Sequence, residues 1–145
     1  MLRSDHRLGE GAAGEAWAEA VKAFLERLRE RVHVESAVVH GSTSRGGGGY
    51  WSDVDLLVVS DDFTDIPLLE RLRLLIELKT GKVEALGYTY EELKRMVEKG
   101  NPLALGALID GLAVVESDRV KRLRMEAEKK YFRRGRAWFP RLPTI

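Results

Sequence analysis

A chain of 145 residues with 44% apolar and 32% charged side chains fits one globular domain of ordinary size and excludes a disordered chain. Cysteine is absent, which rules out a disulfide framework, a thiolate nucleophile and a cysteine zinc site and points to a reducing cytoplasm. The first residues lack an apolar signal core, and no stretch approaches the roughly 18 apolar residues of a membrane span. The formal charge is only +1, but residues 116–145 hold ten Lys/Arg against four Asp/Glu. Such a basic end reads as a solvated amphipathic helix, or as a surface for an acidic partner or RNA.

Trp17, Val21, Phe24, Leu25, Leu28 and Val32 step by three and four residues, which predicts an amphipathic helix over 14–31. Val34–His40 is short and β-branched, a strand that runs into a turn at Gly41 and Ser42. The tract Gly46–Gly49 follows in a loop. The segment 53–60 (DVDLLVVS) reads as a second strand; the gap before it is too short for a crossover helix, so the two strands should pair antiparallel. Pro67 opens a helix over 67–79 with Leu68, Leu72, Leu75 and Ile76 on one stripe, and Gly81 ends it. Lys82–Tyr88 is a third strand. Thr89 and Glu92 have capping-box spacing for a helix that runs to Lys99. Asn101 and Pro102 start another short helix, Gly111 stops it, and Leu112–Glu116 forms a fourth strand. Ser117 begins a last helix ending near Gly135, with Val120, Leu123, Ala127 and Tyr131 on its stripe. The remainder, from Arg136, shows no periodicity. This order is α+β, a small mixed sheet of about four strands flanked by helices.

The chemistry concentrates between His40 and Ser60. Alternate strand positions face the same way, so Asp53 and Asp55 project from one face with Cα atoms roughly 6.5–7 Å apart. Like charges so placed repel unless protonated or bridged by a cation, and oxygen donors of this kind suit Mg²⁺ or Mn²⁺. Gly41 permits close approach of backbone to a ligand, Ser42 offers a hydroxyl and an amide to a phosphate oxygen, and Arg45 offers a guanidinium. Glu84 is an acid within an otherwise apolar strand, to be read either as a carboxylate in need of a partner or as a surface residue whose neighbours Val83 and Ala85 face the core. His40 reads as a packed histidine. Tyr50 and Trp51 either stack on a base or anchor the loop to the core.

Gly-Ser, ten intervening residues, then Asp-x-Asp, with Arg45-Gly46 inside the gap and an apolar strand after it, resembles the DNA polymerase beta-like nucleotidyltransferase superfamily. Within it the match is to the minimal nucleotidyltransferases (MNT), including the antitoxin half of HEPN/MNT toxin–antitoxin pairs. Leu69-Glu-Arg-Leu-Arg, the segment Lys82–Leu93, Asn101-Pro and Asp110-Gly-Leu-Ala-Val follow the same order, so the likeness covers about 15–117 of a single domain spanning 1–145, with the basic helix and tail at 118–145. The glycine tract is longer than the single glycine usual in relatives. The resemblance implies a palm-type sheet with Asp53, Asp55 and Glu84 as catalytic carboxylates holding two Mg²⁺ ions, and Gly41, Ser42, Arg45 and Ser52 as nucleotide-binding residues. It further implies ATP as donor and a tyrosine hydroxyl of a HEPN-family toxin as acceptor. A small hydroxylated acceptor such as an aminoglycoside, or a non-catalytic binding module, are the other readings; no second domain for a small acceptor is evident, and no template-holding domain for nucleic acid. Trp138 and Phe139, beside Arg133, Arg134 and Arg136, have the composition of an interface anchor or of a segment folded on the chain's own core. The last helix also offers a homodimer contact.

Overall fold

The computed structural model describes residues 11–41, 53–79 and 81–142. Its centre is a four-stranded sheet in the order β3-β2-β1-β4, made of β1 (Ser36–His40), β2 (Val54–Val59), β3 (Val83–Tyr88) and β4 (Leu112–Val115). β1 pairs antiparallel with both β2 and β4. β2 and β3 pair parallel, because helix α2 (Leu68–Glu77) supplies the crossover that a parallel connection requires. The α+β mixed sheet expected from the sequence is the one observed.

Strand alternation divides the core into two layers. Ala37, Val39, Val54, Leu56, Val58 and Val83 face α1 (Gly11–Leu28) and α2, where Val21, Phe24, Leu25, Leu28 and Leu75 meet them. On the opposite face Val38, Leu57, Val59 and Ala113 pack under α3 (Tyr90–Glu98), α4 (Pro102–Leu105) with its π-helical continuation Gly106–Asp110, and α5 (Asp118–Lys130). The predicted capping box is present: the Thr89 hydroxyl accepts from the Glu92 N–H at 3.1 Å and a Glu92 carboxylate oxygen accepts from the Thr89 N–H at 2.8 Å. That same carboxylate receives Arg71 Nη1 at 2.6 Å. Arg71 is buried, and its Nε also donates to the Ile66 carbonyl at 2.6 Å, so one guanidinium ties α2 to α3.

One expectation is corrected, and one apolar stripe lies mostly outside the core. The α2 stripe is not core: Leu75 is buried, but Leu68, Leu72 and Ile76 are 59%, 39% and 60% exposed. α2 lies along β3, the edge strand, so its buried side is set by Arg71, Leu75 and Leu78 and the stripe overhangs the edge. The last helix does not reach Gly135. It ends at Lys130, and Tyr131–Arg134 (β5) pairs antiparallel with Ala137–Pro140 (β6). The two-residue turn has Gly135 at φ +63° while Arg136 keeps a negative φ, the backbone pattern of a type II′ hairpin, in which glycine occupies the first central position. Aromatic residues at Tyr131, Phe132, Trp138 and Phe139 favour the strand over further helix.

Candidate active site

Register brings three polar side chains into one row. His40 lies opposite Asp55 across the β1–β2 ladder, and Asp55 lies opposite Glu84 across β2–β3. Their sequence neighbours Val39, Val54, Leu56, Val83 and Ala85 all point into the α1–α2 layer. His40, Asp55 and Glu84 therefore project from the other face, at the end of the strands where the second core layer stops. Asp55 and His40 are half-buried and Glu84 is exposed. Asp53, just ahead of β2, is exposed too, and the burial of Val54 between the two aspartates is the alternation that a shared carboxylate face requires.

Gly41 closes the row on the β1 side. Its φ is +76°, and a Cβ there would stand 2.8 Å from Asp55 Oδ2, so only glycine combines this turn with a carboxylate pressed against it. Beside it, burial pushes the His40 imidazole below its ordinary pKa while the Asp55 charge acts the other way. Its Nε2 is buried and has no hydrogen-bond partner among the described residues. Residue spacing alone assigns this histidine no role, because its place in the row follows from the β1–β2 register.

No ion pair neutralises Asp53, Asp55 or Glu84 among the described residues. Nor do three or more acidic or histidine side chains there converge on a common point suited to a metal ion. The donor chemistry nevertheless fits a hard divalent cation, which typically takes one or two protein carboxylates and fills its remaining positions with water and substrate phosphates. Asp55, pressed against the Gly41 turn, with Glu84 opposite it and no ion pair on either among the described residues, is a set of that type. Ser42, Arg45 and Ser52, with Gly46–Gly49, Tyr50 and Trp51, lie outside the described residues.

A cavity of about 440 Å³ runs from His40, Asp55 and Glu84 round the edge of β3 to Leu72, Ile76 and Leu86. The exposed stripe of α2 thus lines one wall of the space that holds the carboxylates. Apart from Asp55 and Glu84, Lys79 and His40 are the only ionisable groups along it among the described residues.

The nucleotidyltransferase domain family matches residues 21–131. The chain belongs to this family. Its sheet carries the Asp-x-Asp of 53–55 at the start of β2, and nucleotidyl transfer is the reaction for which the family is named. Among solved structures, a candidate nucleotidyltransferase from Sulfolobus solfataricus aligns at 23% identity and a TM-score of 0.47, covering 61% of this chain and 84% of its own. A toxin–antitoxin structure with AMP-PNP aligns at 14% identity and a TM-score of 0.49, covering 74% of this chain and 82% of its own. No curated protein matches the chain. In this nucleotidyltransferase-domain protein no helix among the described residues is long and apolar enough to cross a membrane.

Proposed function

We propose that the protein transfers AMP from ATP to a tyrosine hydroxyl of a partner protein, a HEPN-family toxin, and so acts as its antitoxin. The observation that carries the transfer chemistry is the parallel register that sets Glu84 beside Asp55 on one face, with Gly41 against the Asp55 carboxylate. The sequence resemblance to minimal nucleotidyltransferases supports the toxin acceptor. So does the lining of the cavity, because Leu72, Ile76 and Leu86 beside the carboxylates suit an aromatic ring, whereas a polycationic aminoglycoside calls for more acidic groups than Asp55 and Glu84.

In this reading Asp53, Asp55 and Glu84 hold two Mg²⁺ ions, for which Mn²⁺ can substitute. When bound, the ions neutralise the triphosphate and lower the pKa of the attacking hydroxyl. Gly41 and Ser42 present backbone and hydroxyl groups to the phosphates, and Arg45 and Ser52 add further donors. The acceptor oxygen bonds to the α-phosphorus in line with the departing group, the bond to the β-phosphate oxygen breaks, and pyrophosphate leaves. Glu84, on the acceptor side of Asp55, takes the hydroxyl proton. No covalent intermediate on the protein is required, and positioning with charge neutralisation supplies the rate.

The test incubates the protein with each labelled nucleoside triphosphate, Mg²⁺ and the product of an adjacent HEPN gene, then locates the added mass. AMP on a partner tyrosine is the expected result. Label on a small molecule, or nowhere, removes the protein-acceptor reading.

A further inference from the structure

We infer that the C-terminal hairpin is a phosphate-binding wall of the nucleotide site, with Arg136 as the contact for the terminal phosphate of a nucleoside triphosphate. The hairpin starts at Tyr131, where the family match ends, so it adds to the domain rather than repeating its motifs. It is nonetheless firmly seated. Trp138 packs on the second core layer, the Tyr131 hydroxyl donates to the Glu98 carbonyl at 3.2 Å, and Arg133 Nη1 pairs with Asp110 Oδ2 at 3.2 Å.

Seated there, the hairpin borders an open cleft of about 360 Å³ whose walls include His40, Gly41, Asp110, Arg133, Arg136 and Trp138. His40 is shared with the cavity that runs past Asp55 and Glu84. His40 thus borders both spaces, one on the β3 side of the row and one on the Gly41 side. Their linings differ in kind. Beyond the carboxylates and Lys79 the β3 side is lined by aliphatic side chains, whereas the Gly41 side carries two guanidinium groups. Asp110 compensates Arg133, and Arg136 has no ion pair among the described residues. A guanidinium without a carboxylate partner, beside a glycine turn, is matched by phosphate oxygens, which accept its paired N–H donors. This inference rests on the nucleotidyl-transfer reading: a triphosphate whose α-phosphorus faces Asp55 and Glu84, with its acceptor on the β3 side, extends its outer phosphates past Gly41 toward Arg136.

Calorimetric titration with Mg²⁺ and three probes, AMP-PNP, inorganic triphosphate and AMP, tests it without any need for turnover. The Arg136→Ala variant is expected to lose about 10-fold or more in affinity for AMP-PNP and triphosphate, the scale of a lost charge-assisted contact, and to keep its affinity for AMP. Arg136 sits in an exposed turn, so the thermal midpoint stays put, and Arg136→Lys restores part of the loss. Arg134→Ala removes the same charge from the wall of a different cavity, shared with Phe132 and Phe139, and leaves all three affinities unchanged. Equal AMP-PNP binding by Arg136→Ala and the wild type overturns the inference, as does an equal loss for AMP. Wild-type protein that binds neither AMP-PNP nor triphosphate overturns the transfer reading itself.

Discussion

The two ends of the β1–β2 ladder hold similar acidic residues in opposite states. At one end, Glu35 and Asp61 flank the strands and share Arg119, whose Nε and Nη2 approach Glu35 at 2.6 and 2.5 Å and whose Nη2 reaches Asp61 at 2.7 Å. The Ser117 hydroxyl donates to Glu35 at 2.8 Å, the Tyr90 N–H donates to Asp61 at 3.1 Å, and the Arg119 guanidinium lies 4.1 Å from the centre of the Tyr90 ring. At the other end, Asp53, Asp55 and Glu84 have no such cation among the described residues. Paired charges fasten α5 to the sheet and contribute stability. Unpaired like charges held side by side contribute none, and under the proposed function a bound cation is what would compensate them.

The comparison breaks most decisively at Asp55. Asp55→Asn relieves repulsion, so its urea midpoint should equal or exceed that of the wild type while nucleotidyl transfer falls at least about 100-fold, as when a preorganised electrostatic contact to a transition state is removed. Unchanged transfer would place the chemistry elsewhere. Arg119→Ala should do the reverse. It leaves Glu35 half-enclosed without its cation, costs about 1–3 kcal/mol in urea unfolding, and leaves AMP-PNP affinity intact. Gly41→Ala falls between them, because it both strains a backbone at φ +76° and drives a methyl onto Asp55 Oδ2. We expect about 1–2 kcal/mol of destabilisation with a loss of transfer larger than that cost explains, since Asp55 must shift.

Acid titration sharpens the contrast by the smallest margin. Arg119 holds the Glu35 carboxyl below its ordinary range, against burial and with help from Ser117, and it holds Asp61 down likewise. As pH falls, the unfolded chain protonates these groups before the folded one does. Stability from this cluster is thus complete above the ordinary carboxylate range and is lost as pH drops through the depressed folded values, from about pH 4 downwards. In Arg119→Ala that acid limb should flatten in pH-dependent urea melts. An unaltered limb would mean that other carboxylates govern it.

Local features are legible in the chain itself. The helix face of α1, the Thr89–Glu92 cap and the strands of 36–40, 54–59 and 83–88 rest on hydrogen bonds and alternation within a few residues of one another, and the antiparallel sense of the first strand pair rests on a gap too short for a crossover. The shared side of Asp53 and Asp55 is equally local, since it needs only strand alternation. The partial legibility of Glu84 shows the limit. Its surface-facing reading and its partnered reading describe the same side chain, exposed and yet opposite Asp55, and only the parallel register across 29 residues joins them.

What the sequence by itself determined, then, is the order of elements as far as the start of the last helix and the carboxylate pair at 53 and 55, because periodicity and capping act over one or two turns of chain. Tertiary structure decided the rest: His40 in the row with Asp55, the α2 stripe turned outward along an edge strand, Arg119 clamped between two distant acids, and a hairpin where helical periodicity ran on to Tyr131. The first three depend on contacts between separate segments of the chain, since register and edge position exist only once the strands have paired, and the hairpin depends on strand pairing across a two-residue turn displacing further helix.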